Sequence, residues 1–151
     1  MAAGDIKLEK PIIRPMKPED IGAIIAIDQI LTGNERATTL SDLVTEDLMA
    51  AIELSSIAEV NDQVVGFVLA RHAYIGEPVV EAGLIQGLGV HPLYQRRGIA
   101  TRLINALTES SRAKGIKTLR VMLGEQDSSM KDFFARVNFR LAQLRVYDKT
   151  L

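Results

Sequence analysis

The sequence contains no cysteine, and it contains only two histidines, His72 and His91, among 151 residues. Without cysteine there is no disulfide, no thiolate metal site and no cysteine nucleophile. Two histidines cannot build a multi-histidine metal centre, and the acidic residues do not cluster as a carboxylate-rich metal site requires. The sequence therefore predicts a protein without a metal site.

The chain also lacks an excess of charge of either sign, because 18 basic and 19 acidic side chains leave a formal net charge of −1. This balance argues against a polybasic surface, so we expect no nucleic acid partner. No apolar run approaches the roughly 18 residues that a membrane span requires. Residues 1–5 also lack the basic region and apolar run of a signal peptide. We therefore expect a cytoplasmic protein without membrane contact.

The remaining composition is that of an ordinary globular domain. Hydrophobic residues make up 47% and charged residues 25% of the sequence, which are typical proportions. The length falls within the roughly 100–200 residues of one domain. No repeat, low-complexity segment or linker divides the chain. We therefore expect a single domain over residues 1–151.

Apolar periodicity and turn residues predict strands and helices in the order βααβββαβαββ. The predicted strands are residues 6–16, 56–60, 64–71, 79–90 and 118–123, followed by two short strands around Phe139 and over residues 144–147. The predicted helices are residues 18–31, 39–52, 98–114 and 128–137. Early antiparallel hairpins and a later strand-helix-strand unit indicate an α/β (α+β) domain, with a mixed central sheet flanked by helices.

The most informative segment is the run from Leu88 to Thr101, in which a strand, a turn and a polar cluster precede a glycine at the start of an amphipathic helix. The first turn of a helix carries backbone N–H groups without intrahelical partners, and these groups attract anions together with the helix dipole. Gly98 and Ala100 are small enough to let a phosphate approach the backbone. Arg96 and Arg97 add charge that suits phosphate oxygens. The run therefore predicts a pyrophosphate-binding turn.

Residues 95–100 read Gln-Arg-Arg-Gly-Ile-Ala. They resemble the Gln/Arg-x-x-Gly-x-Gly/Ala signature of the GNAT superfamily of acyl-CoA-dependent N-acyltransferases. The preceding residues 88–92, the helix that follows and the later run 133–139 also lie where this family places them, so the resemblance covers about residues 12–147. It implies a GNAT fold. It also implies direct transfer of an acetyl group from acetyl-CoA, the co-substrate, to a primary amine of a small molecule, a protein N-terminus or a lysine.

The resemblance further implies which residues contact the cofactor. Strand residues would pair with the pantetheine arm, where Gly89 would suit a local bulge, and backbone N–H groups at the helix start would bind the pyrophosphate. Asp127 and Phe134 stand where the family often has an asparagine and a tyrosine, and are departures from its pattern. The predicted cofactor-binding residues are Leu88, Gly89, Val90, Gln95, Arg96, Arg97, Gly98, Ile99, Ala100, Thr101, Asp127 and Phe134.

The catalytic residues depend on proton transfer, because a base should deprotonate the amine and an acid can protonate the leaving thiolate. Glu81 is the only carboxylate on the strand before the signature, so it is the first candidate for the base, directly or through water. Gln86 can only orient a water. Since Phe134 has no proton to give, Tyr94 or Tyr147 replaces it as the acid. Otherwise the thiolate leaves unaided, which a thiol pKa of about 8.5 allows.

One alternative function stays open beside the acetyltransferase. It is a non-catalytic acyl-CoA-binding or regulatory module, because Phe134, Leu84 and Met122 stand where relatives often carry catalytic groups. A nicotinamide enzyme is rejected, because Pro92 stands at the third glycine position of the dinucleotide fingerprint. Homodimers are common in the GNAT superfamily, so a homodimer formed through the terminal strands is a further expectation.

Overall fold

Five strands and four α-helices make up the regular structure of residues 10–33 and 48–151, which are the residues that the computed structural model describes. The strands are β1 (Ile12–Pro15), β2 (Ser56–Val60), β3 (Gln63–Ile75), β4 (Val80–Val90) and β5 (Leu119–Val121). The helices are α1 (Ile21–Thr32), α2 (Leu48–Leu54), α3 (Ile99–Ala113) and α4 (Ser128–Arg136). The early parts of the predicted strand 6–16 and helix 39–52 lie outside the described residues.

The strands form one mixed sheet in the order β1-β2-β3-β4-β5. Neighbours from β1 to β4 are antiparallel, and β5 runs parallel to β4 over only three residue pairs, from Gly83 with Leu119 to Ile85 with Val121. This arrangement confirms the predicted fold class, an α/β domain with a mixed sheet flanked by helices. No helix in the described segments is long and apolar enough to cross a lipid bilayer.

The two faces of the sheet are covered by different helices. Val68 packs in a cluster with Leu103 of α3, whereas its strand neighbours Phe67 and Leu69 pack in a second cluster with Ile27 of α1. Successive side chains of a strand point to opposite faces. The helices α1 and α3 therefore lie on opposite faces of the sheet.

The bulge of β4 lies at Gln86. The residues on either side of it, Ile85 and Gly87, pair with consecutive residues of β3, so Gln86 is the extra residue of the bulge. The bulge that the resemblance implied at Gly89 is therefore wrong, because Gly89 pairs in regular register with Phe67. Glycine is required at position 89 for another reason: the Phe67 ring approaches so closely that it leaves no room for a Cβ.

The two short strands predicted at the end of the chain do not form. The N–H of Phe139 donates to the carbonyl of Phe134 at 2.9 Å, and their ring centroids are 4.9 Å apart, so Phe139 packs against the end of α4. Asn138 has a φ of 72° and provides the left-handed residue that ends this helix. Residues 140–151 have no helix or strand and are exposed. Their apolar residues do not keep the strict alternation that would bury one face of a strand.

A partly buried ion pair joins β1 to the segment that leads into α1. The guanidinium of Arg14 donates to both carboxylate oxygens of Asp20 at 2.8 and 2.9 Å, and its Nε donates to Glu59 at 3.1 Å. Burial raises the pKa of Asp20, but hydrogen bonds from Arg14 and from the N–H of Lys17 more than offset this, so its pKa lies below 3.8, the ordinary value. The pair fixes the start of α1 against the sheet.

Candidate functional site

The turn between β4 and α3 is held by side chains of its own residues. Nε2 of Gln95 donates to the carbonyl of Val90 at 2.9 Å. The guanidinium carbon of Arg97 lies 5.4 Å from the ring centroid of Tyr94, which is a cation-π distance. These contacts fix the path by which the chain leaves the sheet and enters α3.

The backbone of this turn presents N–H groups to solvent. Arg96 and Gly98 have positive φ values of 63° and 77°, and left-handed residues in such a turn aim successive N–H groups at one point, which favours an anion. The N–H of Arg102 donates to the carbonyl of Gly98 at 3.0 Å, so residues 99–101 precede the first intrahelical bond. Gly98 stands at the N-cap position of α3 and has no side chain to cap the helix. A Cβ built on Gly98 meets nothing within 4 Å, so the space before the turn fits a phosphate group.

The second half of β4 leads from this turn into the sheet. β3 pairs with β4 as far as Val90, but β5 pairs with it only as far as Ile85. Within the described residues no strand covers the other edge of residues 86–90. This edge offers backbone donors and acceptors to an extended ligand with amide groups, in the manner of an added strand.

A cavity of about 420 Å³ opens where the ladder between β4 and β5 ends. Its walls come from β4, from the chain around and after Val121, and from α4 and α1. The lining residues are Asp28, Thr32, Ile85, Gln86, Gly87, Leu88, Val121, Met122, Leu123, Gly124, Asp127, Met130 and Phe134. Because α1 and α3 cover opposite faces of the sheet, the cavity connects the side of the turn between β4 and α3 with the side of α1.

The predicted cofactor residues fall into two connected groups. Leu88, Asp127 and Phe134 line the cavity, and residues 95–101 form the turn and the first residues of α3. Strand residues 89–90 connect the two groups. The predicted residues therefore follow one another from the cavity to the start of α3, but the side chains of Val90 and Ile99 are buried in the core.

The two departures from the family pattern have evident structural roles. Oδ1 of Asp127 accepts a hydrogen bond from the N–H of Met130 at 3.3 Å and so caps α4. Phe134 is only 3% exposed and packs edge-on against Phe133, with ring centroids 5.2 Å apart. Both residues support the wall of the cavity, and Phe134 presents no proton donor there.

The predicted catalytic residues lie away from the cavity. Oε1 of Glu81 lies 3.0 Å from Nε2 of His72, near the beginning of β4. Tyr94 lies on the turn, where its ring packs edge-on against His91 with centroids 6.0 Å apart. Neither Glu81 nor Tyr94 lines the cavity, and Tyr147 lies in the exposed segment after α4. The structure does not bring these side chains together.

Asp28 lines the cavity but was not among the predicted site residues. It is 4% exposed, and the hydroxyl of Thr32 donates to its Oδ2 at 3.2 Å. The only signal for it in the sequence is an aspartate at a buried position of the apolar stripe of α1. A single polar residue on such a stripe does not by itself distinguish a site from a satisfied core group.

A mixed sheet that opens between two parallel strands, beside a glycine-containing turn at the start of a helix, is the arrangement of the acyl-CoA-dependent N-acyltransferase fold. The family model described as the acetyltransferase (GNAT) family matches residues 24–139. The chain belongs to this family, as the resemblance of residues 95–100 implied.

Solved structures share this fold over nearly their whole length. Aminoglycoside acetyltransferase AAC(6')-Iy, in complex with the bisubstrate analogue CoA-S-monomethyl-acetylneamine, is 16% identical; the match covers 95% of this chain and 99% of that chain, with a TM-score of 0.76. A ribosomal-protein-alanine N-acetyltransferase from Brucella melitensis biovar Abortus 2308 is 17% identical, with coverage of 94% and 99% and a TM-score of 0.75. A transcriptional regulator from Bacillus halodurans C-125 is 14% identical, with coverage of 93% and 100% and a TM-score of 0.74. At these identities the similarity shows the fold alone.

Proposed function

We propose that the protein is an N-acetyltransferase that transfers the acetyl group of acetyl-CoA directly to a primary amine in a ternary complex. One observation supports the proposal: the turn between β4 and α3 and the cavity lie at the two ends of one strand edge, residues 86–90, which no other strand of the described residues covers. An extended ligand with an anionic group at one end and a reactive group at the other fits this surface. Acetyl-CoA has this form.

The chain's own residues would divide the binding of the cofactor between them. Backbone N–H groups of residues 96–101 would bind the pyrophosphate, helped by the charge of two arginines. Residues 88–90 would pair with the amides of the pantetheine arm, and Phe134 would pack beside it. When bound, acetyl-CoA supplies the activated thioester. The amine nitrogen would then form a bond to the acetyl carbon as the carbon-sulfur bond breaks. CoA would leave as the thiolate, and the proton lost by the amine would pass to water or to this thiolate.

Proton transfer through Glu81 and Tyr94 is a separate proposal with weaker support. Since Glu81 is placed beside His72 and outside the cavity, it would need a chain of waters along β4 to reach the amine. Gln86, on the bulge, lines the cavity and would orient such a water. Departure of the thiolate without an acid fits the phenylalanine at position 134.

A non-catalytic acyl-CoA-binding or regulatory module is the second candidate. The absence of a proton-donating side chain at Phe134, together with the positions of Glu81 and Tyr94 outside the cavity, favours it. One protein of the same fold, that from Bacillus halodurans, bears the name of a transcriptional regulator. This candidate shares the cofactor site and differs only in the chemistry that follows.

Calorimetry with acetyl-CoA and a thiol-release assay with a broad panel of amines test both candidates together. Binding followed by steady release of CoA supports the acetyltransferase. Binding without release for any amine supports the module. Failure to bind acetyl-CoA at millimolar concentration contradicts both proposals.

We also propose that residues 1–151 act as one cytoplasmic domain that forms a homodimer. The residues after α4 support the dimer, because the side chains of Leu141, Val146 and Tyr147 are 100, 70 and 87% exposed. The last strand of the sheet, β5, is only three residues long. Burial of these side chains against a second copy would remove apolar surface from water. Sedimentation of the full chain and of a variant lacking residues 141–151 tests this, since a full-length monomer contradicts it.

A further inference from the structure

One side of the cavity between β4 and β5 is apolar. Six of the residues that line it also belong to the hydrophobic cluster that packs under α3. They are Ile85, Leu88, Val121, Leu123, Met130 and Phe134, and we call them the apolar wall. Ile85 and Phe134 are only 5 and 3% exposed, whereas Leu123 and Met130 are half-buried. The apolar wall is therefore continuous with the core of the protein.

The side of the cavity that α1 forms is polar. Asp28 and Thr32 line the cavity there, and the hydroxyl of Thr32 donates to Oδ2 of Asp28 at 3.2 Å. Since α1 and α3 cover opposite faces of the sheet, the polar side and the apolar wall face the cavity from different directions. A ligand with a hydrocarbon part would be oriented by this difference, with that part against the apolar wall.

The course of β4 determines where the reactive end of acyl-CoA would lie. The proposed ligand runs along the strand edge from Val90 towards Gln86. Beyond Gln86 the edge is closed, because Ile85 pairs with Val121 of β5. The acyl group therefore has no room to continue along the strand and would leave the sheet where Ile85 and Val121 meet. Both of these residues belong to the apolar wall.

The cavity is larger than an acetyl group. Its volume of about 420 Å³ lies within the range of about 300–1,000 Å³ that is typical of pockets for small-molecule ligands. An acetyl group consists only of two carbons and one oxygen with their hydrogens, so it would leave the half-buried side chains of Leu123 and Met130 in contact with water. A longer hydrocarbon chain would cover this apolar surface.

We infer that the apolar wall binds the hydrocarbon chain of an acyl group longer than acetyl, so that the protein prefers acyl-CoA donors with a short aliphatic chain to acetyl-CoA. The inference rests on the proposed acyl-CoA site and widens the donor beyond acetyl. The transfer itself is unchanged. A bond forms between the amine nitrogen and the carbonyl carbon as the carbon-sulfur bond breaks, CoA leaves as the thiolate, and the amine proton passes to water or to this thiolate.

Three unreactive thioethers of CoA test the inference without an amine. S-Ethyl-CoA, S-butyl-CoA and S-hexyl-CoA differ only in chain length, and calorimetry gives the dissociation constant of each for the wild type, with CoA as the reference. Burial of one methylene strengthens binding about threefold to fourfold. We therefore expect S-butyl-CoA to bind about 10-fold and S-hexyl-CoA about 100-fold more tightly than S-ethyl-CoA.

The outcomes separate the inference from the function on which it rests. Equal affinities for the three thioethers overturn the inference and leave the proposed acetyltransferase intact. Failure of CoA itself to bind overturns the proposed function, and the inference with it.

Two methionines test where the chain binds. Met130→Trp places a larger side chain in the apolar wall. Met49→Trp is the matched control, because Met49 is 73% exposed and does not line the cavity. The measure is the ratio of the dissociation constants of S-ethyl-CoA and S-hexyl-CoA, in which a general effect on CoA binding cancels. We expect the ratio to fall from about 100 to below about 10 in Met130→Trp and to stay near about 100 in Met49→Trp. An unchanged ratio in Met130→Trp overturns the inference.

NMR of the methionine methyl groups of the wild type covers the case in which Met130→Trp does not fold. The complexes with S-ethyl-CoA and S-hexyl-CoA are compared. The methyl signal of Met130 should differ between the two complexes, because only the longer chain would reach it, and the signal of Met49 should not. A Met130 signal that is identical in both complexes overturns the inference.

Discussion

The aromatic ring of Phe67 fills the space in which a side chain at position 89 would lie. A Cβ built on Gly89 would lie 2.9 Å from Cε1 of Phe67 and 2.9 Å from Cδ1 of Leu31. Phe67 is fully buried, so its ring has no open space into which to turn. The strand edge proposed to bind pantetheine is therefore in direct contact with the core under α1.

We expect Gly89→Ala to lower the free energy of unfolding by about 1–3 kcal/mol, the usual cost of overpacking a filled core. The affinity for acetyl-CoA should fall as well, because the displaced strand carries the proposed binding edge. Chemical denaturation and calorimetry measure the two effects. Gly22→Ala is the control, since its Cβ meets nothing within 4 Å and alanine favours a helix by about 0.5–1 kcal/mol. Equal destabilisation by both changes would contradict the packing argument.

The charge at the start of α3 can be tested with two side chains of the same size. Gly98 has a left-handed backbone, which aspartate and asparagine tolerate better than most residues. Gly98→Asp places a carboxylate where the pyrophosphate is proposed to bind, so we expect acetyl-CoA binding to be lost. Gly98→Asn carries no charge and should retain binding, although weakened. Calorimetry on both variants decides the point, and an equal loss would show that steric contact or strain is responsible.

The ion pair between Arg14 and Asp20 should make stability depend on pH. Since the folded-state pKa of Asp20 lies below 3.8, its contribution is fully present above that value and is lost as pH falls through the folded pKa. Asp20→Asn should therefore cost about 1.5–3 kcal/mol at neutral pH, and the difference from the wild type should shrink below about pH 4.

The control for this ion pair is Glu19→Gln, because Glu19 is the exposed neighbour of buried Asp20. Denaturant unfolding at a series of pH values measures all three proteins. Glu19→Gln should follow the wild type throughout. A constant difference between Asp20→Asn and the wild type at every pH would rule out the carboxylate as the source of the stability.

Features that depend on neighbouring residues were predictable from the sequence. Asn61 and Asp62 form the β2–β3 turn with positive φ values, and Gly115, with a φ of 77°, follows α3 as the predicted left-handed cap. The backbone of the turn between β4 and α3 belongs to the same kind, because its shape is set within a few residues. Such elements are encoded locally.

Features that depend on distant partners were not predictable. The bulge at Gln86 is set by the register between β3 and β4, and the sequence of β4 alone does not show which of its residues is left without a partner on β3. The cavity is lined by residues of both α1 and α4, which are about 100 residues apart in the sequence, so Asp28 could not be assigned to it from the sequence. The strand expected around Phe139 failed because its ring packs on Phe134, a tertiary contact that overrides local preference.

Two buried serines should respond in opposite ways to removal of the hydroxyl. Oγ of Ser55 accepts from the N–H of Ala70 at 3.0 Å and donates to the carbonyl of Ala70 at 3.2 Å. Oγ of Ser111, on α3, has no hydrogen-bond partner within residues 10–33 and 48–151. Ser55→Ala leaves two backbone groups unsatisfied, so we expect a loss of about 1–3 kcal/mol in the free energy of unfolding.

Ser111→Ala removes a hydroxyl that is buried without compensation, and alanine is the better helix former, so stability should stay constant or rise. Chemical denaturation of both variants gives the comparison, with the two residues matched in burial at 2% exposure each. Destabilisation by Ser111→Ala of the same size as by Ser55→Ala would mean that the Ser111 hydroxyl makes a hydrogen bond in solution. In that case the face of α3 that lies against Gly83 of β4 is packed around the hydrogen bond of the Ser111 hydroxyl.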